Sequence, residues 1–195
     1  MNIIFTAIYL FVMAIFLAIL EIQIEGPHGW AKNLPTWRPL TQKWYVKLFQ
    51  RCLSGKDFTG YHLVMFSFVL LIFHLPYVFG LSLSWEHWLK TISLYFMFVV
   101  MWDFLWFVLN PHYPLKRFKK EHIWWHHKWK WLAPIDYYAG VLFSLFVLLP
   151  LSLHQQTWSL VYWWLANIAL FAVCTFLVVL FTLYILKIDK WKITK

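Results

Sequence analysis

Long uncharged stretches separated by short, strongly cationic ones set the pattern of this chain. No Asp, Glu, Lys or Arg occurs from Ile3 to Leu20, from Phe58 to Trp85, or from Tyr137 to Leu186, and Thr91 to Asn110 holds only Asp103. Roughly 20 apolar residues cross a bilayer as a helix. The last run is too long for one such helix, and the polar triplet His154-Gln155-Gln156 offers the turn between two. The pattern predicts five spans, at about 3–22, 61–83, 88–110, 136–153 and 157–186, within a single membrane domain covering 1–195 and without internal repeats.

The segments between spans carry their own periodicity. Trp37, Leu40, Trp44, Tyr45, Leu48, Phe49 and Cys52 recur at intervals of three and four while Arg38, Lys43, Lys47 and Arg51 fill the gaps. This is the pattern of a helix lying in the membrane interface, with Pro39 suited to its first turn and Gly55 to its end. Pro111 to Ile135 mixes Phe118, Ile123, Trp124, Trp125, Trp129 and Trp131 with cations in the same way. The expected fold is therefore an all-α integral membrane bundle of about five transmembrane helices with two interfacial amphipathic cytoplasmic segments.

Composition agrees: 62% of residues are hydrophobic and 13% charged, which excludes an ordinary soluble domain. Of the seventeen Lys and Arg, sixteen fall on one side of a five-span topology: six between Gly26 and Asp57, six between Pro111 and Ile135, and four after Leu186. Cations are retained in the cytoplasm, so the N-terminus is expected outside and the C-terminus inside, in the cytoplasmic (inner) membrane. The first span lacks a basic leader and a small-residue cleavage site, so it reads as a retained helix. The net charge of +9 fits anionic lipid headgroups, and no nucleic acid is needed to account for it. Cys52 and Cys174 fall at different depths, so neither a mutual disulfide nor a thiolate metal site is expected. Trp85, Trp88, Trp158, Trp163, Trp164 and Trp191 read as interfacial anchors, whereas Trp124 and Trp125 are placed to shield a site from water.

Chemistry concentrates on the cytoplasmic side. Glu21 and Glu25 end the first span four residues apart, hence on one helical face. Asp103 lies seven residues before Asn110, about 10 Å inside the third span. Asp136 opens the fourth span. These four carboxylates converge on the leaflet that also holds His112, His122, His126 and His127. Imidazole nitrogen with carboxylate oxygen is the donor set of non-haem iron, manganese and zinc. A helix over 119–130 would put His122 and His126 on one face and turn His127 about 100° away. Glu25-Gly26-Pro27-His28 spells E-x-x-H, with His28 folding back as a loop ligand. Other pairings compete: Glu21 and Glu25 with Lys32 or Arg38, Asp103 with Asn110 or an arginine, and the histidine cluster with lipid headgroups. His74 reads as a packed, hydrogen-bonded residue, and His62, His87 and His154 as boundary residues without a role.

The stretch His122-Ile123-Trp124-Trp125-His126-His127 resembles one histidine box of the membrane-bound fatty-acid hydroxylase and desaturase superfamily. In that superfamily several H-x-x-x-H and H-x-x-H-H boxes on the cytoplasmic face hold two irons that activate dioxygen against a lipid chain. The resemblance covers about six residues. The other boxes are missing, and Glu21, Glu25, Asp103 and Asp136 would stand in for their histidines, as in carboxylate-rich soluble di-iron proteins.

The leading expectation is a metal-dependent oxidoreductase acting on a lipid or another apolar substrate at the cytoplasmic leaflet, with one or two iron ions. His122, His126, His127, Glu25 and Asp103 are the expected ligands, and Glu21, His28, His112 and Asp136 are ligands or groups that orient them. No dinucleotide, haem or flavin motif is present, so an electron-donor partner is implied. With zinc, the same donors would serve a lipid hydrolase. A noncatalytic membrane subunit or lipid-binding protein of a larger complex is the reading from another class.

Overall fold

The computed structural model describes residues 2–191; Lys192 and Lys195, two of the cations used for orientation, lie outside them. Five helical segments are long and apolar enough to cross a membrane: Ile3–Glu25, Gly60–Val78, Trp85–Leu109, Ile135–His154 and Ser159–Lys190. We name the helices α1 (Ile3–Glu25), α2 (Trp44–Cys52), α3 (Gly60–Val78), α4 (Trp85–Leu109), α5 (Ile135–Phe146), α6 (Leu149–His154) and α7 (Ser159–Leu180).

Helix α4 is the axis of the bundle and packs against α1, α3, α5 and α7. It buries Leu94, Met97, Phe98, Met101, Trp102 and Leu105 among others, and 56% of its most apolar window is covered, against 11–28% for the other spans. Those outer helices expose leucine, valine and phenylalanine freely, as lipid-facing helices do. Helix α1, which packs on α4 and α7, buries a stripe of small residues, Ala7, Ala14 and Ala18, each at most 1% exposed. Small side chains let two helices approach closely where lipid offers no hydrophobic drive. Asn2 caps α1 by accepting from the Ile4 and Phe5 amides, and Gly26 (φ 62°) ends it.

Several expectations need correction. The second span stops at Val78 rather than 83, because Gly80 (φ 101°) turns the chain and the Leu81 amide donates back to the Pro76 carbonyl. The fourth span is broken at Val147–Leu148: Pro150 has no N–H for the Phe146 carbonyl, so α5 and α6 meet at a kink. Residues 119–130 are not helical. They form turns that lead into a two-residue antiparallel pair, Trp129–Lys130 (β1) with Ala133–Pro134 (β2). Burial alternates there, with Ile123 and Trp125 inside and Trp124 exposed, and the inward pair packs with Ile22, Trp30, Trp106, Phe107 and Tyr113 as a plug at the end of the bundle. Between the first two spans the helix begins only at Trp44, so Pro39 lies before it in chain without regular structure, while Gly55 (φ 95°) does follow the helix end.

Candidate metal centre

The ends of α1 and α4 and the starts of α3 and α5 meet at the plugged end of the bundle. Glu21 and Glu25, on one face of α1, are each 8% exposed. Across from them, His62 enters from the first turn of α3. Thr59 caps that helix by accepting from the His62 amide, and its hydroxyl lies 2.7 Å from His62 Nδ1. The other ring nitrogen therefore points at the carboxylates, with Nε2 3.4 Å from Glu25 Oε1 and 4.0 Å from Glu21 Oε1. One donor atom from each of Glu21, Glu25 and His62 falls within 4.8 Å of the others.

This triad is held in place from the loop that follows α1. Four of its residues have left-handed backbone, Gly26, Gly29, Trp30 and Ala31; the last two are not glycine, a strain of about 1–3 kcal/mol each that concentrates at constrained functional loops. The bend lays the Trp30 indole flat on His62, with ring centroids 3.8 Å apart and planes at 16°. It also directs the Ala31 amide to donate to Glu25 Oε1. Trp30 Nε1 donates to the Asp57 carbonyl at 2.8 Å, fastening this loop to the one before α3.

A second group of ionisable residues adjoins the first. His126, with a fully buried side chain, sits between two carboxylates: Nδ1 is 3.2 Å from Asp136 Oδ2, and Nε2 is 3.3 Å from Asp103 Oδ2. Tyr137 donates to Asp103 Oδ2 at 2.5 Å. Lys56, 5% exposed, stands 3.5 Å from Asp136 Oδ2 with its ammonium 4.4 Å above the Trp30 ring. A cavity of about 80 Å³ lies between the two groups. Glu21, Lys56, His62, Asp103, Asp136 and Tyr137 line its polar side, and Leu53, Phe66, Val99, Val100 and Trp102 its apolar side.

Charge and hydrogen bonding both leave room for a cation. Four carboxylates face one lysine and two imidazoles, so even with both rings protonated the anionic side is in excess. A buried carboxylate must be paired, protonated or bound to metal. If His62 Nδ1 donates to Thr59, its Nε2 lone pair faces carboxylate oxygens, acceptor against acceptor, and either a proton or a metal ion must lie between them. A hydrogen bond at the outer ring nitrogen, here to the Thr59 hydroxyl, holds the orientation of a ligating histidine. The donors present thus fit a hard or borderline divalent cation.

The nine residues singled out in the sequence separate into two sets. Glu21, Glu25, Asp103, His126 and Asp136 come together here. His28, His122 and His127 are exposed, and His112 is half-buried with its amide donating to Asn110 Oδ1. The loop geometry explains the split: with no helix over 119–130, only His126 of the cluster turns inward. His122 offers its carbonyl to the Tyr113 hydroxyl, whose pKa burial raises, and the His28 carbonyl accepts from Trp124 Nε1. The competing pairings of Glu21, Glu25 and Asp103 within the chain do not form among the described residues either: Arg38 donates to the Ala31 carbonyl, and Asn110 to that of Gly26. His74 is hydrogen-bonded to the Leu70 carbonyl within its own helix, as expected. Sequence reasoning missed His62, Thr59, Lys56, Trp30 and Tyr137. The available signal for His62 was Thr59 three residues earlier, a capping threonine that aims the ring, together with its place on the same side of the membrane as Glu21 and Glu25. No family model, curated protein or solved structure matches the chain.

Proposed function

We propose that this chain is a membrane-embedded, metal-dependent oxidoreductase acting on a lipid or another apolar substrate, with Glu21, Glu25 and His62 holding the metal. The observation that carries the reading is the arrangement of the triad: two carboxylates and an imidazole converge, with the other imidazole nitrogen tied to Thr59. Two oxygens and one nitrogen, without thiolate, suit iron, and one or two ions are compatible with the neighbouring Asp103, His126 and Asp136. Bound there, iron would supply oxidation chemistry. The chain's own residues bind and orient it: Thr59 fixes which His62 nitrogen faces the carboxylates, Trp30 covers the ring, and Tyr137 donates to the Asp103 carboxylate. The apolar wall of Phe66, Val99, Val100 and Trp102 gives the substrate a greasy approach to the donors.

In this proposal the plugged end lies at the cytoplasmic leaflet, since sixteen of the seventeen Lys and Arg belong to that side. Helix α2 and the loop over Pro111–Ile135 lie in the interface with their aromatic residues among the acyl chains. The exposed Lys116, Arg117, Lys119 and Lys120 then offer an acidic electron-donor protein a docking surface in the cytoplasm.

Elemental mass spectrometry of the protein purified without added metal tests the reading. The expected result is iron at one or two per chain, lost in His62→Ala and in Glu25→Ala. Zinc at the same stoichiometry, also lost in both variants, would instead support the hydrolase, because the same donors hold zinc and lower the pKa of its water. A metal-free protein would sink both and favour a noncatalytic subunit.

A further inference from the structure

A pair of cavities lies at the opposite end of the bundle, away from the candidate metal centre. Two cavities, of about 190 and 390 Å³, share Thr6, Leu81, Thr91 and Leu94 as walls and so adjoin. The larger is apolar, bounded by Leu10, Phe73, Pro76 and Phe79. The smaller carries the polar groups Lys90, His87 and Asn167. Pockets of roughly 300–1,000 Å³ with an apolar body and a few polar groups are what amphiphilic ligands occupy.

The polar end is unfinished. Asn167 is 0% exposed, and its Nδ2 donates to the Trp163 carbonyl at 2.9 Å, yet its Oδ1 has no partner. It stands eight residues into α7, about 12 Å along the helix, where an unpaired buried acceptor is costly. Among the described residues Lys90 is the only Lys or Arg at this end. It donates to Glu86 at 2.6 Å, and its ammonium lies 5.4 Å from the Trp163 ring. An occupant must therefore bring a hydrogen-bond donor for Asn167 and a hydrocarbon chain, and an acceptor on it can share the Lys90 ammonium, which has three N–H groups, with Glu86. A hydroxyl donor suits the site better than an ammonium, which would compete with Lys90 for Glu86.

We propose that this paired cavity binds a membrane phospholipid whose head is a hydroxyl-bearing phosphodiester, of the phosphatidylglycerol type. The glycerol hydroxyl meets Asn167 Oδ1, the phosphate meets Lys90, and one acyl chain fills the apolar cavity. The test is native mass spectrometry of the full chain released from nanodiscs of equal phosphatidylglycerol, phosphatidylethanolamine and phosphatidylcholine. One phosphatidylglycerol should stay on the wild type in preference to the other two. Lys90→Gln and Asn167→Leu should each lose it, while Lys119→Gln, in the exposed cationic loop at the far end, should keep it. Equal retention of all three lipids by the wild type would overturn the proposal. So would retention by Lys90→Gln together with loss in Lys119→Gln, which would assign the lipid to the loop. Lys90 is partly exposed, so its variant reads the site even if Asn167→Leu does not fold.

Discussion

At the scale of single residues, the candidate centre turns on how one imidazole is aimed. Thr59 is not a proposed ligand, yet it decides which His62 nitrogen faces Glu21 and Glu25. Removing a partner of this kind lowers metal affinity about 10–100-fold at other sites. Thr59→Val is expected to weaken binding of added Fe²⁺ or Mn²⁺ by that factor, and Thr59→Ser to restore most of it, as read by calorimetric titration. Equal affinity in the valine variant would mean that the hydroxyl only caps α3. His126 makes a different case. Its ring separates Asp103 from Asp136, and breaking a buried pair by removing one partner is destabilising by about 3–5 kcal/mol. His126→Leu should therefore lower the thermal midpoint in detergent strongly, with or without metal. A loss of metal with no change in midpoint would instead make His126 a ligand rather than a clamp. The carboxylates of this centre were legible in the sequence, because an acid inside an apolar run is conspicuous. His62 was not, because a histidine at a span boundary looks like many interfacial ones, and only tertiary packing brings it to α1.

At the scale of elements, hydropathy located the spans because each is a run of apolar residues long enough to cross a bilayer. Their ends were less legible, since Gly80 and Pro150 act through local backbone geometry within stretches that remain apolar. The histidine-rich loop was misread for a related reason. Its three- and four-residue spacings look helical, but the chain there is a series of turns that puts Ile123 and Trp125 into the aromatic plug and leaves Trp124 outside. Contact between spans can be tested at Gly140, where α5 crosses α4. A Cβ there would lie 2.6 Å from Val100 Cγ2, so Gly140→Leu must push the helices apart. Overpacking of this sort usually is worth about 1–3 kcal/mol. A fall in thermal midpoint is expected for Gly140→Leu, and Val100→Ala in the same chain should recover part of it. No recovery would show that the two residues are not in contact.

At the scale of the whole molecule, the distribution of charge makes the two ends of the bundle unlike. One end gathers the buried carboxylates, the strained Gly26–Ala31 loop and nearly all the cations; the other has Lys90, paired with Glu86. If cations govern insertion, the candidate metal centre must face the cytoplasm, where a soluble reductant can reach it. Cysteine accessibility decides this. In a chain with Cys52 and Cys174 changed to serine, Lys120→Cys and Gln155→Cys each place one thiol at an exposed position, at the plugged end and the opposite end respectively. A membrane-impermeant maleimide should label the Gln155 variant in intact cells and the Lys120 variant only after the membrane is opened. The reverse pattern would put Glu21, Glu25 and His62 on the outer side, away from any cytoplasmic electron donor. The geometry of the triad would stand, but the reductase-dependent oxidation would lose its supply of electrons, and zinc-assisted hydrolysis, which needs none, would become the stronger reading of the same donors.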